Sequence, residues 1–249
     1  MDNQIKIGYP ALDKILGGGL HPGEVTVVAG RYIPDIVLLN IILNNLFRNQ
    51  VAIDNNATII LYSIYDAEDN ANRLICIEAG YEMHSGTPSI AVQKKIQETI
   101  EHLKETNLYI ENIVSVPIEK IVESTQSFAK NFGLDFIIID SFNTFVKRKP
   151  PYHPFGDPDD AMRAANKIKQ MAKDLDVPVL VAYYPLHAPE SLNIADVCKP
   201  MLDMADNIIS LYHNEETNIL KAEVTKNGNG ITGTVNLSFS NWWYKIRER

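Results

Sequence analysis

The sequence predicts an α/β fold in which a mainly parallel sheet, flanked by helices, is extended by antiparallel strands at its C-terminal end. Three observations predict it. Short apolar runs rich in β-branched residues alternate with segments of helical spacing as far as Asp206, the pattern of βαβ units covered on both faces. Beyond Asp206 the chain changes to closely spaced strands parted by turn residues such as Asn227-Gly228-Asn229-Gly230. The composition, 45% hydrophobic and 22% charged over 249 residues, excludes a disordered, collagen-like or disulfide-stapled chain. That length suits one α/β unit, so a single domain over 1–249 is expected.

The elements follow in order. Glu24 to Ala29, Ala57 to Ser63, Phe136 to Asp140 and Val177 to Tyr183 are the short runs that a doubly covered sheet demands. Between them, Asp35 to Phe47, Ala67 to Ala79, Ile90 to Lys104, Ile118 to Phe132 and Asp159 to Leu175 have helical spacing. The first of these helices is apolar on nearly every face, which predicts burial all round. Its Ile36 and Val37 either pack in the core or fill a pocket or meet a partner chain. The terminal strands are Asn207 to His213, Ile219 to Thr225, Gly233 to Phe239 and Trp242 to Ile246. Trp242, Trp243 and Tyr244 either close the sheet edge or anchor an interface. Lys147 to Pro158 is expected to be a loop, because its prolines forbid helix interior and central strand. It leaves the carboxyl end of a strand, where open α/β sheets place ligands.

Charge and cysteine usage narrow the function. Lys plus Arg is 23 against 31 Asp plus Glu, a net charge of -8, so any nucleic-acid contact must be local. Cys76 and Cys198 are far apart and lack metal-type spacing, consistent with buried thiols in a reducing compartment. The N-terminus lacks a basic segment followed by an apolar one. The longest apolar stretch, Ile36 to Leu43, is interrupted by Asn40 and too short to span a bilayer, so a cytoplasmic protein is expected. His21, His84, His102, His153, His187 and His213 lack the close spacing of a zinc site, and no metal is assigned to them.

Several segments carry a family resemblance. Gly8-Tyr9-Pro10-Ala11-Leu12-Asp13, then Gly18-Gly19-Leu20-His21-Pro22-Gly23-Glu24 and Val25-Thr26-Val27-Val28-Ala29-Gly30-Arg31, resemble the start of the RecA-like ATPase core of DnaB replicative helicases. KaiC-like and RadA-like proteins begin similarly. Ile168 to Lys173 followed by Val177-Pro178-Val179, then Ala205 to Tyr212 and Lys226 to Val235, resemble later segments of the DnaB family in particular. The resemblance runs from about Ile5 to Ile246. It implies a RecA-like fold of the P-loop NTPase superfamily, without an equivalent of the family's helical N-terminal domain.

The resemblance also implies stations for ATP chemistry, and most are altered. A phosphate loop G-x-x-x-x-G-K-[ST] wraps backbone N–H groups around phosphates, with Lys on the terminal ones and the hydroxyl on magnesium. Here the stretch is Gly30-Arg31-Tyr32-Ile33-Pro34-Asp35-Ile36-Val37. Pro34 has no N–H, Asp35 brings a carboxylate, Ile36 stands for the Lys and Val37 for the hydroxyl. Two unit charges about 4 Å apart interact by roughly 4 kcal/mol at an effective dielectric of about 20. Micromolar binding is worth about -8 kcal/mol in all. Losing a cation and gaining an anion therefore removes most ordinary nucleotide affinity. Asp35 either takes the anion site itself, capping the helix that follows, or faces solvent.

At the place of the catalytic Glu stands Tyr65, a poor base at neutral pH. Asp140 matches the magnesium-organising Asp, or else is a loop-starting residue closing an apolar strand. Asn143 stands for a Gln that couples phosphate to DNA-binding loops, and Tyr184 for a polar sensor. In the K-x-R element Lys226 is kept, but Gly228 replaces the Arg that reaches a neighbouring subunit's phosphate, a group worth about 10³ to 10⁵ in rate where it operates. Lys147, Arg148 and Lys149, with Tyr152, His153 and Phe155 behind them, lie where the family carries a DNA-binding loop. They either contact single-stranded DNA or form a solvated loop.

The expected function is a non-catalytic, DnaB-helicase-like assembly or DNA-associated module in replication or recombination, with a decayed nucleotide site and no cofactor. Its partners would be copies of itself, a replicative-helicase-type protein or single-stranded DNA. The alternative is an active DNA-dependent ATPase or helicase subunit that uses Mg-ATP through a non-standard phosphate loop.

Overall fold

The computed structural model describes residues 4–30, 33–48, 57–81, 86–146, 157–184, 199–240 and 244–249. Among them the strands are β1 (Val25–Gly30), β2 (Ile59–Ser63), β3 (Leu108–Asn112), β4 (Phe136–Asp140), β5 (Val179–Tyr183), β6 (Asn207–Asn214), β7 (Ile219–Lys226), β8 (Gly233–Ser240) and β9 (Lys245–Glu248). The helices are α1 (Pro10–Ile15), α2 (Pro34–Leu43), α3 (Ala67–Ala79), α4 (Ile90–Lys104), α5 (Ile118–Phe132), α6 (Pro158–Leu175) and α7 (Lys199–Met204). The strands form one sheet in the order β3-β2-β4-β5-β1-β6-β7-β8-β9. β3 through β6 in that order run parallel, and β6 to β9 are antiparallel.

The four apolar runs occupy the centre because each can bury both faces: β1, β2, β4 and β5 are buried along their whole length. Alternate side chains feed two cores. Val28, Leu61, Ile138 and Leu180 pack under α2 and α3 on one face. Val27, Ile60, Ile139 and Val181 pack under α5 and α6 on the other. On α6, Ala161, Ala164, Ala165 and Ile168 form one stripe at helical spacing, and their small side chains bring the helix close to the sheet.

α2 is buried as its all-round apolarity predicts, with Val37, Leu38, Leu39, Ile41, Ile42 and Leu43 in the core. It starts at Pro34, and its last turn, Asn44–Arg48, widens to π geometry. Asn40, the interruption in the apolar stretch, directs its amide to the neighbouring strand. Its Nδ2 donates to Ile36 O at 2.9 Å and Tyr244 O at 2.8 Å, and its Oδ1 accepts from Ile246 N at 3.1 Å. A buried polar residue is thereby satisfied while tying α2 to β9.

Four features differ from the sequence-based expectations. β3 is an edge strand, LYIEN, whose exposed positions break the apolar signal that marks the central strands. α1 and α7 have six residues each, too few for a helical period to declare itself. Pro158 is not loop but the first residue of α6, where its missing N–H costs nothing. The last strand runs Lys245–Glu248 rather than from Trp242 to Ile246. Trp242 and Trp243 lie outside the described residues, as do His84, His153, His187 and Cys198. Among the described residues no helix is long and apolar enough to cross a membrane.

Candidate functional site

The connection after β1 leaves to the face of α2, whereas the chain after β4 leads to α6 on the opposite face. Strand ends between such diverging connections open a crevice at the carboxyl edge of a parallel sheet. The residues there are Gly30 at the end of β1, Asp35 in the first turn of α2, Tyr65 just past β2, Asp140 at the end of β4 and Tyr184 just past β5.

Pro34 folds back on the strand end. A Cβ added at Gly30 would lie 3.0 Å from Leu211 Cβ and 3.6 Å from Pro34 Cγ, so only glycine fits without displacement. Ile33, 6% exposed, and Val37, 4% exposed, join the core, and Ile36 packs half-buried against it. Val37 thus has the core role that its apolarity allowed. Arg31 lies outside the described residues.

The capping role considered for Asp35 is not what the structure has. Ile33 is the N-cap of α2, and that position makes no side-chain cap hydrogen bond. The Asp35 carboxylate turns instead to α3, where its Oδ2 accepts a hydrogen bond from Arg73 Nη2 in an ion pair. The physical reason is competition: a guanidinium offers a charged donor, which binds a carboxylate more strongly than a neutral backbone N–H does. The Arg73 Cζ also sits 4.7 Å from the centroid of the Tyr65 ring, a cation–π contact. Arg73 Nη1 is buried without a hydrogen-bond partner. Tyr65 is 38% exposed, its N–H donates to Ser63 Oγ at 3.1 Å, and its carbonyl accepts from Asn70 Nδ2 at 3.1 Å.

Asp140 is 3% exposed and its Oδ1 accepts from the Tyr184 hydroxyl at 3.0 Å. Burial raises its carboxyl to about 6, and the Asp35 charge adds to the rise, while the Tyr184 hydrogen bond and Arg73 oppose it. The Tyr184 phenol is pushed well above its ordinary value, first by burial and then by the charges of Asp140 and Asp35, so it remains a donor. Asn143 holds Tyr184 by its backbone: Nδ2 donates to Tyr184 O at 2.8 Å and Oδ1 accepts from Tyr184 N at 2.9 Å. Among the described residues no group of three or more His, Cys, Asp or Glu is placed to hold a metal ion.

The structure therefore brings together Gly30, Pro34, Asp35, Tyr65, Asp140, Asn143 and Tyr184, but leaves Lys226 apart. Lys226 pairs with Ile208 at the start of β6, the end of the sheet opposite Gly30, which pairs with Leu211. Its Nζ donates to Leu202 O at 2.9 Å, at the end of α7. The Gly228 N–H is held by Asn207 Oδ1 at 3.1 Å at that same far end. Lys147, Arg148 and Lys149 lie outside the described residues.

Arg73 is the residue that sequence reasoning missed. A signal was available: it is the one Lys or Arg between Arg48 and Lys94. A lone cation in that stretch invites a search for the carboxylate it serves.

Comparison with known proteins agrees with this architecture. The profile of the DnaB-like helicase C terminal domain matches residues 4–190. The chain is 25% identical over 264 residues to the replicative DNA helicase DnaB of Leifsonia xyli subsp. xyli (strain CTCB07), covering 98% of this chain and 56% of that protein. It is 22% identical over 255 residues to the replicative DNA helicase DnaB of Geobacillus stearothermophilus, covering 94% and 54%. The chain thus spans little more than half of those relatives. Among solved structures, one described as an ATPase domain superposes with a TM-score of 0.82 at 20% identity, covering 100% of this chain and 93% of that one. A DnaB-like replicative helicase, described with its interactions with primase, gives 0.79 at 19% identity, covering 98% and 63%. The RadB recombinase gives 0.64 at 12% identity, covering 99% and 100%. These likenesses establish the RecA-like fold.

Proposed function

Because the chain belongs to the family of DnaB-like helicase C-terminal domains, we propose that it is a non-catalytic member, an assembly or DNA-associated module of replication or recombination in which ATP turnover has been lost. The observation that carries this reading is the Asp35–Arg73 ion pair at the start of α2. Where the resemblance implies a phosphate held by Lys, the chain places its own anion and supplies its own cation. Pro34 removes one N–H from the same turn, and Tyr65, a poor base at neutral pH, occupies the place of the general base. These residues do not fit Mg-ATP: a polyphosphate would meet Asp35 and Asp140 with Arg73 already engaged. At about 4 Å and an effective dielectric of about 20, each carboxylate would oppose a phosphate charge by roughly 4 kcal/mol.

Such a domain keeps the surfaces of its family. The partners it suits are further copies of itself or a helicase-type protein, with single-stranded DNA contact assigned to Lys147, Arg148 and Lys149. The retained Asp140, at the strand end where the resemblance implies the magnesium-organising carboxylate, favours the second reading, an ATPase with a non-standard phosphate loop. Titration calorimetry with Mg-ATP and a non-hydrolysable analogue, with and without single-stranded DNA, separates the two. The expected result is no nucleotide heat and no phosphate release, with an oligomeric state by native mass spectrometry that nucleotide leaves unchanged. Saturable Mg-ATP binding with turnover would replace this reading by the second.

A further inference from the structure

We propose that Arg73 and Asp35 form a self-masked phosphate site, in which the α3 guanidinium is the cation a polyphosphate requires and the α2 carboxylate covers it. The proposal rests on the reading that the natural chain does not use ATP, and it names the contact responsible.

The geometry is specific. Arg73 reaches from α3 to the first turn of α2, and only one of its terminal nitrogens is engaged by Asp35. The other, Nη1, is buried with no hydrogen-bond partner. A guanidinium presents a planar fork that suits two oxygens of a phosphate, and half of this fork is idle. The Tyr65 ring, 4.7 Å from Cζ to the centroid, adds a cation–π contact to the same group. Asp35 itself stands in the first turn of a ten-residue helix, where the helix dipole favours an anion. Removing its charge while keeping its shape leaves an unneutralised guanidinium beside an unoccupied anion position. Asp140 remains nearby at the end of β4, close enough for its carboxyl to feel the charges of both Asp35 and Arg73.

The test uses the full chain and inorganic pyrophosphate with Mg²⁺, titrated calorimetrically, with folding checked by circular dichroism melts. The natural chain is expected to give no saturable heat. Asp35→Asn is expected to bind pyrophosphate roughly tenfold or more tightly than the natural chain, as a freed charge-assisted fork should. Adding Arg73→Gln to Asp35→Asn should abolish that gain. Asp35→Ser, which removes the same charge from a smaller side chain, carries the same expectation should Asp35→Asn fail to fold.

A folded Asp35→Asn that binds no better than the natural chain overturns the proposal. So does a double variant that still binds, which would place the cation elsewhere. Failure of both neutral variants to fold would make the pair a structural clasp and overturn it equally. These outcomes are separable from failure of the functional reading, which is marked by ATP hydrolysis in the natural chain. An inert natural chain with an unresponsive Asp35→Asn refutes the masked site alone.

Discussion

The hydroxyl of Tyr184 donates to Asp140 Oδ1 at 3.0 Å across the carboxyl edge of the sheet, joining the residues that follow β5 to the end of β4. Asp140 is buried, and its carboxyl is raised from 3.8 to about 6. The folded chain therefore holds this proton more tightly than the unfolded chain does. The ionised form costs stability at neutral pH, and the cost disappears as pH falls through about 6 toward about 4. At about 1.36 kcal/mol per unit the ceiling is about 3 kcal/mol. Asp140→Asn, which still accepts from Tyr184, should be the more stable protein at pH 7 by up to that amount and equal to the natural chain near pH 4. Asp13, raised to about 6 by burial, is unchanged in the variant and cancels in the comparison. Urea midpoints with the same pH dependence in both proteins would refute the assignment.

Asn143 and Tyr184 exchange two hydrogen bonds, an amide mimicking a strand neighbour for one residue. Asn143→Ala leaves the Tyr184 N–H and carbonyl unpaired, a loss of about 2 to 3 kcal/mol at ordinary hydrogen-bond values. Asn143→Asp can accept from the N–H but cannot donate to the carbonyl, and should fall between. Denaturant unfolding measures both, and an unchanged midpoint for Asn143→Ala would show that the clamp contributes nothing.

Asn40 links α2 to β9 through Tyr244 O and Ile246 N. Asn40→Leu raises the local hydrophobicity and helix propensity, yet it strands those backbone groups. We expect a net destabilisation of about 1 to 3 kcal/mol. Hydrogen exchange at Ile246 should accelerate in the same variant. A more stable Asn40→Leu would mean that water replaces the amide at no cost.

Lys226 is a structural group in the isolated chain, donating to Leu202 O at 2.9 Å. Lys226→Met should lower stability by about 1 kcal/mol. It should leave pyrophosphate binding by Asp35→Asn unaltered, since the two lie at opposite ends of the sheet. A loss of that binding in the combined variant would bring Lys226 into the phosphate site.

Much of this molecule is legible in its residue order. β-branched runs flanked by helical periods are sufficient for a doubly covered parallel sheet, because burial of both faces is a property of each strand on its own. That Pro34, Asp35, Ile36 and Val37 follow one another after β1, with no Lys or hydroxyl residue among them, is equally a matter of residue identity at consecutive positions. What the order could not supply were the edge strand β3, whose signal is diluted by solvent, and the destination of each polar side chain. Asp35 could cap its helix or face water, and only the packing of α3 on α2 gave it Arg73. Lys226 and Asn143 were both candidate site residues by sequence position. The sheet register separates them to opposite ends, because antiparallel β7 returns its last residue to the edge where parallel β1 begins. Residue type fixes what a group can do locally, whereas partner choice depends on distances between segments far apart in the chain, and those exist only once the sheet has formed.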